Sequence, residues 1–268
     1  MAASVFSFDE NSLQAIRTPC ECHGQDYELT QRRVKRVAWL PMTCQVSFEA
    51  LRPLLELAAL RSTERQGKLP AWLQRGDLER MPLLRADRWI EEVSATLREP
   101  ALGLLALAQV QRGLGQVVEL AAECADTLHD ALLVLARHST VVNEAASFHL
   151  HHEGPHAVLV LGSKLLLSHA LRDYLSGLIA LTVARWLGSP AGIALWFAGP
   201  RPTYALSYRS ALPDVSVGFH APCDALVVPV ASLNAPLPLR DPKLHDFLVR
   251  LARRLGATSA SRPSPQRQ

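Results

Sequence analysis

Apolar residues return every three or four positions along much of this chain, and the points where that rhythm changes divide it into elements. From Ser47 the pattern is helical. Leu51, Leu54, Leu55 and Ala58 share one face, Ser47 is placed to cap the start, and Pro53 is expected in the first turn, where proline is tolerated. Pro70, Gly76 and Pro82 break the next stretch into short helical pieces, with further helices expected over residues 86–97 and 101–112. Gly113 and Gly115 interrupt that run before a helical stretch at 117–125. Thr127, with Asp130 three positions later, is the clearest helix start in the chain, and Leu128, Ala131, Leu132 and Leu135 supply its buried stripe.

After that helix the period shortens to two. Residues 147–152 and 157–161 read as strands joined by the turn Glu153-Gly154-Pro155-His156, and the polar content of one face argues against burial in a parallel sheet. A long helix over 169–187 carries Leu171, Leu175, Leu178, Thr182 and Trp186 on one face and stops at Gly188. Residues 193–197, 215–219 and 226–230 are further strands, and a last helix is expected over 242–255. This order predicts an α+β fold, an N-terminal helical subdomain followed by an antiparallel sheet with packed helices. A partly disordered lead-in is expected over residues 1–46, with a short strand near 37–40, then one folded domain over 47–256 and a disordered tail over 257–268.

Composition narrows the function classes. At 268 residues, 49% hydrophobic and 20% charged, the chain can bury a full core, and its formal net charge of +3 lacks the basic excess that phosphate-backbone binding uses. No basic patch followed by an apolar run marks a secretory signal at the N-terminus. The strongest apolar stretches, 101–110 and 175–187, fall short of the roughly 20 residues that span a bilayer. Cys20, Cys22, Cys44, Cys124 and Cys223 suit a reducing compartment better than a disulfide framework. A cytoplasmic protein without a membrane partner is expected.

Several groupings invite a chemical reading and do not hold it. His149 and His151 point to one side of their strand and His152 to the other, so a metal site would need both, His156 across the turn, and suitable geometry. Cys20-Glu21-Cys22-His23 is spaced too tightly for a zinc pair and has no second pair. Gly113-Leu114-Gly115 lacks the third glycine and the preceding strand of a dinucleotide loop. The basic run Arg32 to Arg36 reads as a solvated face, and Arg75-Gly76-Asp77 as a chance turn. No catalytic motif is recognisable, so no catalytic residue, metal or cofactor is assigned and the protein is not expected to be an enzyme. One grouping fits a small-molecule cleft: Trp196 and Phe197 before the Pro200-Arg201-Pro202 turn, and Tyr204, Tyr208 and Phe219 beyond it. Arg201 or Arg209 could meet an anionic group. Those aromatics equally suit a packed core.

A series of short motifs in order carries a family resemblance. These are Glu99-Pro100-Ala101-Leu102-Gly103-Leu104, Gly113-Leu114-Gly115, Thr127-Leu128-His129-Asp130-Ala131-Leu132, Trp196-Phe197-Ala198-Gly199-Pro200-Arg201-Pro202, Val217-Gly218-Phe219-His220-Ala221-Pro222, and Leu233-Asn234-Ala235-Pro236-Leu237 with Asp241-Pro242. Together they resemble the N-terminal, ligand-sensing domain of AraC-type transcription regulators of the arabinose-binding class. The resemblance implies that residues 47–256 form a domain that binds a small organic effector and self-associates.

In that family a helix-turn-helix module comes after the sensor. Only a Ser-, Pro- and Arg-rich tail lies beyond residue 255, so no direct DNA binding is expected, and the expected partner is a second copy or an intact relative whose output this chain could dampen. The alternatives are a small-molecule carrier or enzyme that reuses the sensor fold, and a truncated regulator without function.

Overall fold

The computed structural model describes residues 44–66, 80–110, 116–188, 192–213 and 215–260. The strand expected at 37–40, Cys20 and Cys22, the run Arg32 to Arg36, the Arg75 tripeptide, and Gly113 and Gly115 lie outside the described residues.

The N-terminal part is helical, as the periodicity predicts, with one small addition. Strand β1 (Gln45–Ser47) pairs antiparallel with β2 (Arg80–Pro82), a two-strand ribbon too short to leave an alternation in the sequence. Helix α1 (Phe48–Gln66) begins directly after Ser47, so Pro53 falls beyond the first turn, where its missing N–H leaves the Glu49 carbonyl without its usual donor. Helix α2 (Leu83–Leu97) starts earlier than expected, and α3 (Leu102–Leu107) and α4 (Gln116–Glu123) are short. Helix α5 (Leu128–Val142) opens on the expected cap. The Thr127 hydroxyl oxygen accepts from the Asp130 N–H at 3.2 Å and its O–H donates to the Asp130 carboxylate at 2.6 Å.

Strands β3 (Ala146–Glu153) and β4 (His156–Ser163) form the predicted hairpin, with Gly154 at φ +55° in the left-handed region that a two-residue hairpin turn requires. Helix α6 (His169–Leu187) ends at Gly188, also left-handed at φ +64°. Strand β5 (Ala194–Trp196), helix α7 (Ser207–Ala211), strands β6 (Ser216–Gly218) and β7 (Ala225–Pro229), and helix α8 (Pro242–Ala260) complete the order. The larger sheet has the order β3-β4-β7-β5-β6. Its pairs are antiparallel except β5–β6, which is parallel. That pair departs from the antiparallel sheet expected from sequence, because the chain passes from β5 to β6 through a crossover containing α7 instead of a hairpin.

One hydrophobic core joins the helical part to the sheet. Leu159, Leu195, Leu226 and Val228 on one sheet face pack with helix residues such as Leu54, Leu104, Leu132 and Leu178. Residues of opposite parity, Val158, Ala194, Ala225 and Val227, form a smaller cluster on the other face. Helix α6 is buried on nearly every side, not along the single stripe expected. Glycine makes room for that position: a Cβ on Gly103 of α3 would lie 1.9 Å from the Ala170 carbonyl oxygen, and one on Gly177 would lie 2.4 Å from Leu107 Cδ1. The Gly103 contact is with backbone and excludes any side chain there, so α3 meets the start of α6 at close range, while the Gly177 contact is with the tip of a leucine side chain.

Candidate functional site

Two neighbouring features grow out of the first turns of α6 and the segment after β5. The first is a closed aromatic cluster. Phe197 leaves β5 with its N–H donating to the Gly218 carbonyl at 2.9 Å, and Ala221 N–H donates back to the Phe197 carbonyl at 3.0 Å. These bonds stitch the segment after β5 to the one after β6. The rings of Phe197, Tyr208 and Phe219 then meet at centroid distances of 5.4 to 5.8 Å, and Tyr204 stacks on Tyr208 at 6.3 Å. Phe197 is 0% and Tyr208 1% exposed, so these two are core residues. The Arg172 guanidinium lies 5.2 Å above the Phe197 ring and closes the cluster from the α6 side.

Against this cluster α6 places a carboxylate. Asp173 is 1% exposed and accepts a hydrogen bond from the Tyr204 hydroxyl at 2.8 Å on Oδ2, while Arg172 stands 3.6 Å from Oδ1. Asp173 Oδ1 and the Tyr208 hydroxyl are both buried without a hydrogen bond. Burial pushes the Asp173 pKa up, and the Tyr204 hydroxyl and Arg172 only partly oppose it. Burial and the nearby carboxylate push the phenols of Tyr204 and Tyr208 well above their ordinary value, so both stay protonated.

The second feature is an open cleft of about 580 Å³, inside the range of roughly 300–1,000 Å³ usual for small-molecule sites. Its walls are the C-terminal half of α2, the first turn of α6, and the loop from Pro200 to Tyr204. Asp87 of α2 sets the spacing of two walls. Its carboxylate accepts from the Ser168 N–H at 3.1 and 3.2 Å and from the Ser168 hydroxyl at 2.6 Å, and Ser168 in turn caps α6 by accepting from the Leu171 N–H. The loop is pinned by Ala198 N–H donating to Asp224 at 2.8 Å and His220 N–H donating to the Gly199 carbonyl at 3.0 Å. Arg98, Arg201, Thr203 and His169 face this space with Glu91 as its one acidic side chain. Arg172 donates to His169 Nδ1 at 3.0 Å, which leaves the His169 Nε2 as the protonated nitrogen of the neutral ring.

The six residues singled out from sequence are therefore divided. Arg201 and Tyr204 line the cleft. Phe197, Tyr208 and Phe219 form the cluster behind Tyr204, and Trp196 packs with Val158, Ala194 and Val227 on the other sheet face. Arg209 does not line the cleft. Sequence reading missed the α2 wall, although Asp87, Glu91, Ser94 and Arg98 recur at intervals of four, three and four, a polar stripe on one helix face. As for the histidines, His149 and His151 lie opposite Val160 and Val158, and His152 lies on the other face with its ring 6.2 Å from that of His129. Among the described residues no group of three or more His, Cys, Asp or Glu side chains could hold a metal ion.

Residues 44–237 match the model of the N-terminal arabinose-binding domain of AraC transcription regulators. The chain belongs to this family. Every wall of the cleft falls inside the matched AraC-type domain, as do all six residues chosen from sequence. The crystal structure of the transcriptional regulator CdpR from Pseudomonas aeruginosa superposes with a TM-score of 0.56 at 18% identity, over 79% of this chain and 64% of that one. The two share a fold, and this chain spans 64% of the length of CdpR. No curated protein matches the chain. Among the described residues no helix is long and apolar enough to cross a membrane.

Proposed function

We propose that this AraC-type domain is a non-enzymatic sensor that takes a small organic effector in the cleft between α2, α6 and the Pro200–Tyr204 loop. The observation that carries the reading is the cleft itself, which has the volume of a small-molecule site and lies wholly within the matched domain. Its polar groups are suited to binding: guanidinium groups, a hydroxyl, and a tyrosine held protonated by burial. Tyr204 is the proposed reporter of occupancy, because one ring borders the cleft, stacks on the aromatic cluster and donates to the buried Asp173.

Self-association is the second half of the reading. Helix α8 docks through Leu248, Ala252 and His245, whose Nδ1–H donates to the Ala121 carbonyl at 2.7 Å. The adjacent face leaves Leu244, Phe247 and Leu255 exposed, Phe247 by 55%. A second copy offering the same stripe would bury it in a two-fold contact.

A thermal-shift screen of the chain against metabolite classes tests the sensor reading. A ligand held in the cleft raises the Tm in a saturable way, by an amount equivalent to about 2.7 kcal/mol at a hundred times Kd, and Tyr204→Ala abolishes the shift. Ligands whose stabilisation survives Tyr204→Ala would place effector binding elsewhere. Sedimentation velocity tests the stripe, with Phe247→Arg expected to convert a dimer to a monomer.

A further inference from the structure

The lining of the cleft narrows the chemistry of its occupant. Arg98 at the end of α2 and Arg201 of the Pro200–Tyr204 loop both line this space, and neither side chain has a hydrogen-bond or ion-pair partner among the described residues. The helix α6, nineteen residues long, starts at the same space, but the Asp87 carboxylate already accepts from Ser168 at its N-cap, so the arginines and not the helix start are the open positive groups of the cleft. The Thr203 hydroxyl and His169 add donors, against which Glu91 in the lining and Asp87 behind Ser168 are the opposing carboxylates.

Arg98 carries a second mark. It occupies the left-handed position after the last turn of α2, with φ 55° and ψ 38°. Its own N–H donates to Ala95 and that of Glu99 donates to Ser94, the two bonds of a helix-ending motif in which glycine is the usual residue. A non-glycine residue here strains the backbone, and strain of this kind gathers at binding sites. The strained backbone turns the chain at the cleft rim, where the Arg98 side chain lines the space.

We propose that the effector carries a carboxylate, held by the guanidinium groups of Arg98 and Arg201 in this cleft. Arginine matches a carboxylate with paired N–H donors, which gives direction as well as charge. Pro100, Pro200, Pro202 and the Tyr204 ring supply the apolar surface for the rest of the molecule. A neutral sugar, the ligand class that the family name suggests, would leave both guanidinium groups without a counter-charge. The proposal rests on the reading of this cleft as the effector site.

The test is a matched pair of probes, 3-phenylpropionate and its neutral amide 3-phenylpropionamide, titrated into the full chain and followed by NMR at the arginine Nε–Hε signals. The acid is expected to bind at least about tenfold more tightly than the amide and to shift the Arg98 and Arg201 signals. In the Arg98→Gln/Arg201→Gln double variant the acid should fall to the affinity of the amide. Both side chains are at the surface, and circular dichroism confirms that the variant folds. Equal affinity for acid and amide at the cleft overturns the carboxylate and leaves the effector cleft standing. Tight acid binding that survives the double variant also overturns it. If neither probe saturates, the carboxylate reading falls, and the effector cleft is decided separately by the thermal-shift screen with Tyr204→Ala.

Discussion

The aromatic cluster and the cleft share the same scaffold yet are built for opposite purposes. Both use the first two turns of α6 and the segment from Phe197 to Tyr208. In the cluster every ring is against another ring, Arg172 caps Phe197, and Phe197 and Tyr208 are shut off from water. In the cleft two arginines stand around an open volume without partners among the described residues. Closed apolar packing of the first kind supplies stability, and the open, charged lining of the second kind is where we propose recognition. Tyr204 belongs to both, and through its bond to Asp173 it couples the rim of the cleft to the interior.

The division breaks most visibly if stability does not respect it. Phe197→Ala removes a fully buried ring and its contacts with Tyr208, Phe219 and Arg172, and should lower the unfolding free energy by about 3–5 kcal/mol. Arg201→Gln, at an exposed position, should change it by no more than about 0.5 kcal/mol. Urea denaturation of both variants decides the matter. A mild Phe197→Ala together with a severe Arg201→Gln would reverse the roles assigned to the two regions.

This division is only partly legible in the sequence. Local signals are legible: the Thr127 cap, the Glu153–His156 turn, and the limits of α6, which the structure places at His169 and Leu187 as the periodicity predicts. Non-local packing is not. The burial of α6 on nearly every side draws on Gly103 of α3 admitting the Ala170 backbone at close range, and a single glycine in a helical run carries no sign of what approaches it. The parallel β5–β6 pair is hidden for the same reason, since strand direction is set by the crossover and not by either strand.

For the site, aromatic residues near irregular backbone fit a core and a cleft alike, so Phe197, Tyr208 and Phe219 can be grouped with Arg201 and Tyr204 from sequence but not separated from them. The stripe from Asp87 to Arg98 is present in the sequence as a pattern. Its pairing with residues far along the chain, such as Ser168, is not.

A smaller effect sharpens the role of Asp173, which sits where the two regions join. Its pKa is raised by burial, so the folded state holds the proton more tightly than the unfolded chain does. Stability from this group is therefore greatest below the unfolded carboxylate value and is lost as pH rises through the raised folded value. Asp173→Asn keeps an oxygen that can accept from Tyr204 and removes the ionisation. The variant should be more stable than the parent at pH 8, and the gap should close as pH falls through the folded pKa. Denaturation curves across pH 4 to 8 measure that gap. A gap that widens on acidification would mean that Arg172 and Tyr204 outweigh burial.

The smallest effect discriminates best, because it has the opposite sign to ordinary damage. Arg98 holds a left-handed backbone, at a position where an L side chain costs roughly 1 kcal/mol relative to glycine. Arg98→Gly should therefore raise the stability of the domain by up to that amount, since glycine satisfies the same two helix-ending hydrogen bonds without strain. If Arg98 serves only to end α2, this change is an improvement without a penalty. If its guanidinium holds the effector, the same change weakens ligand binding while the unliganded protein melts later. A thermal scan with and without the effector separates the two cases, since the loss of the ligand-induced shift must then accompany a higher Tm for the free protein. A lower Tm for free Arg98→Gly would show that the side chain stabilises the rim, and the strain at this position could then no longer be attributed to recognition.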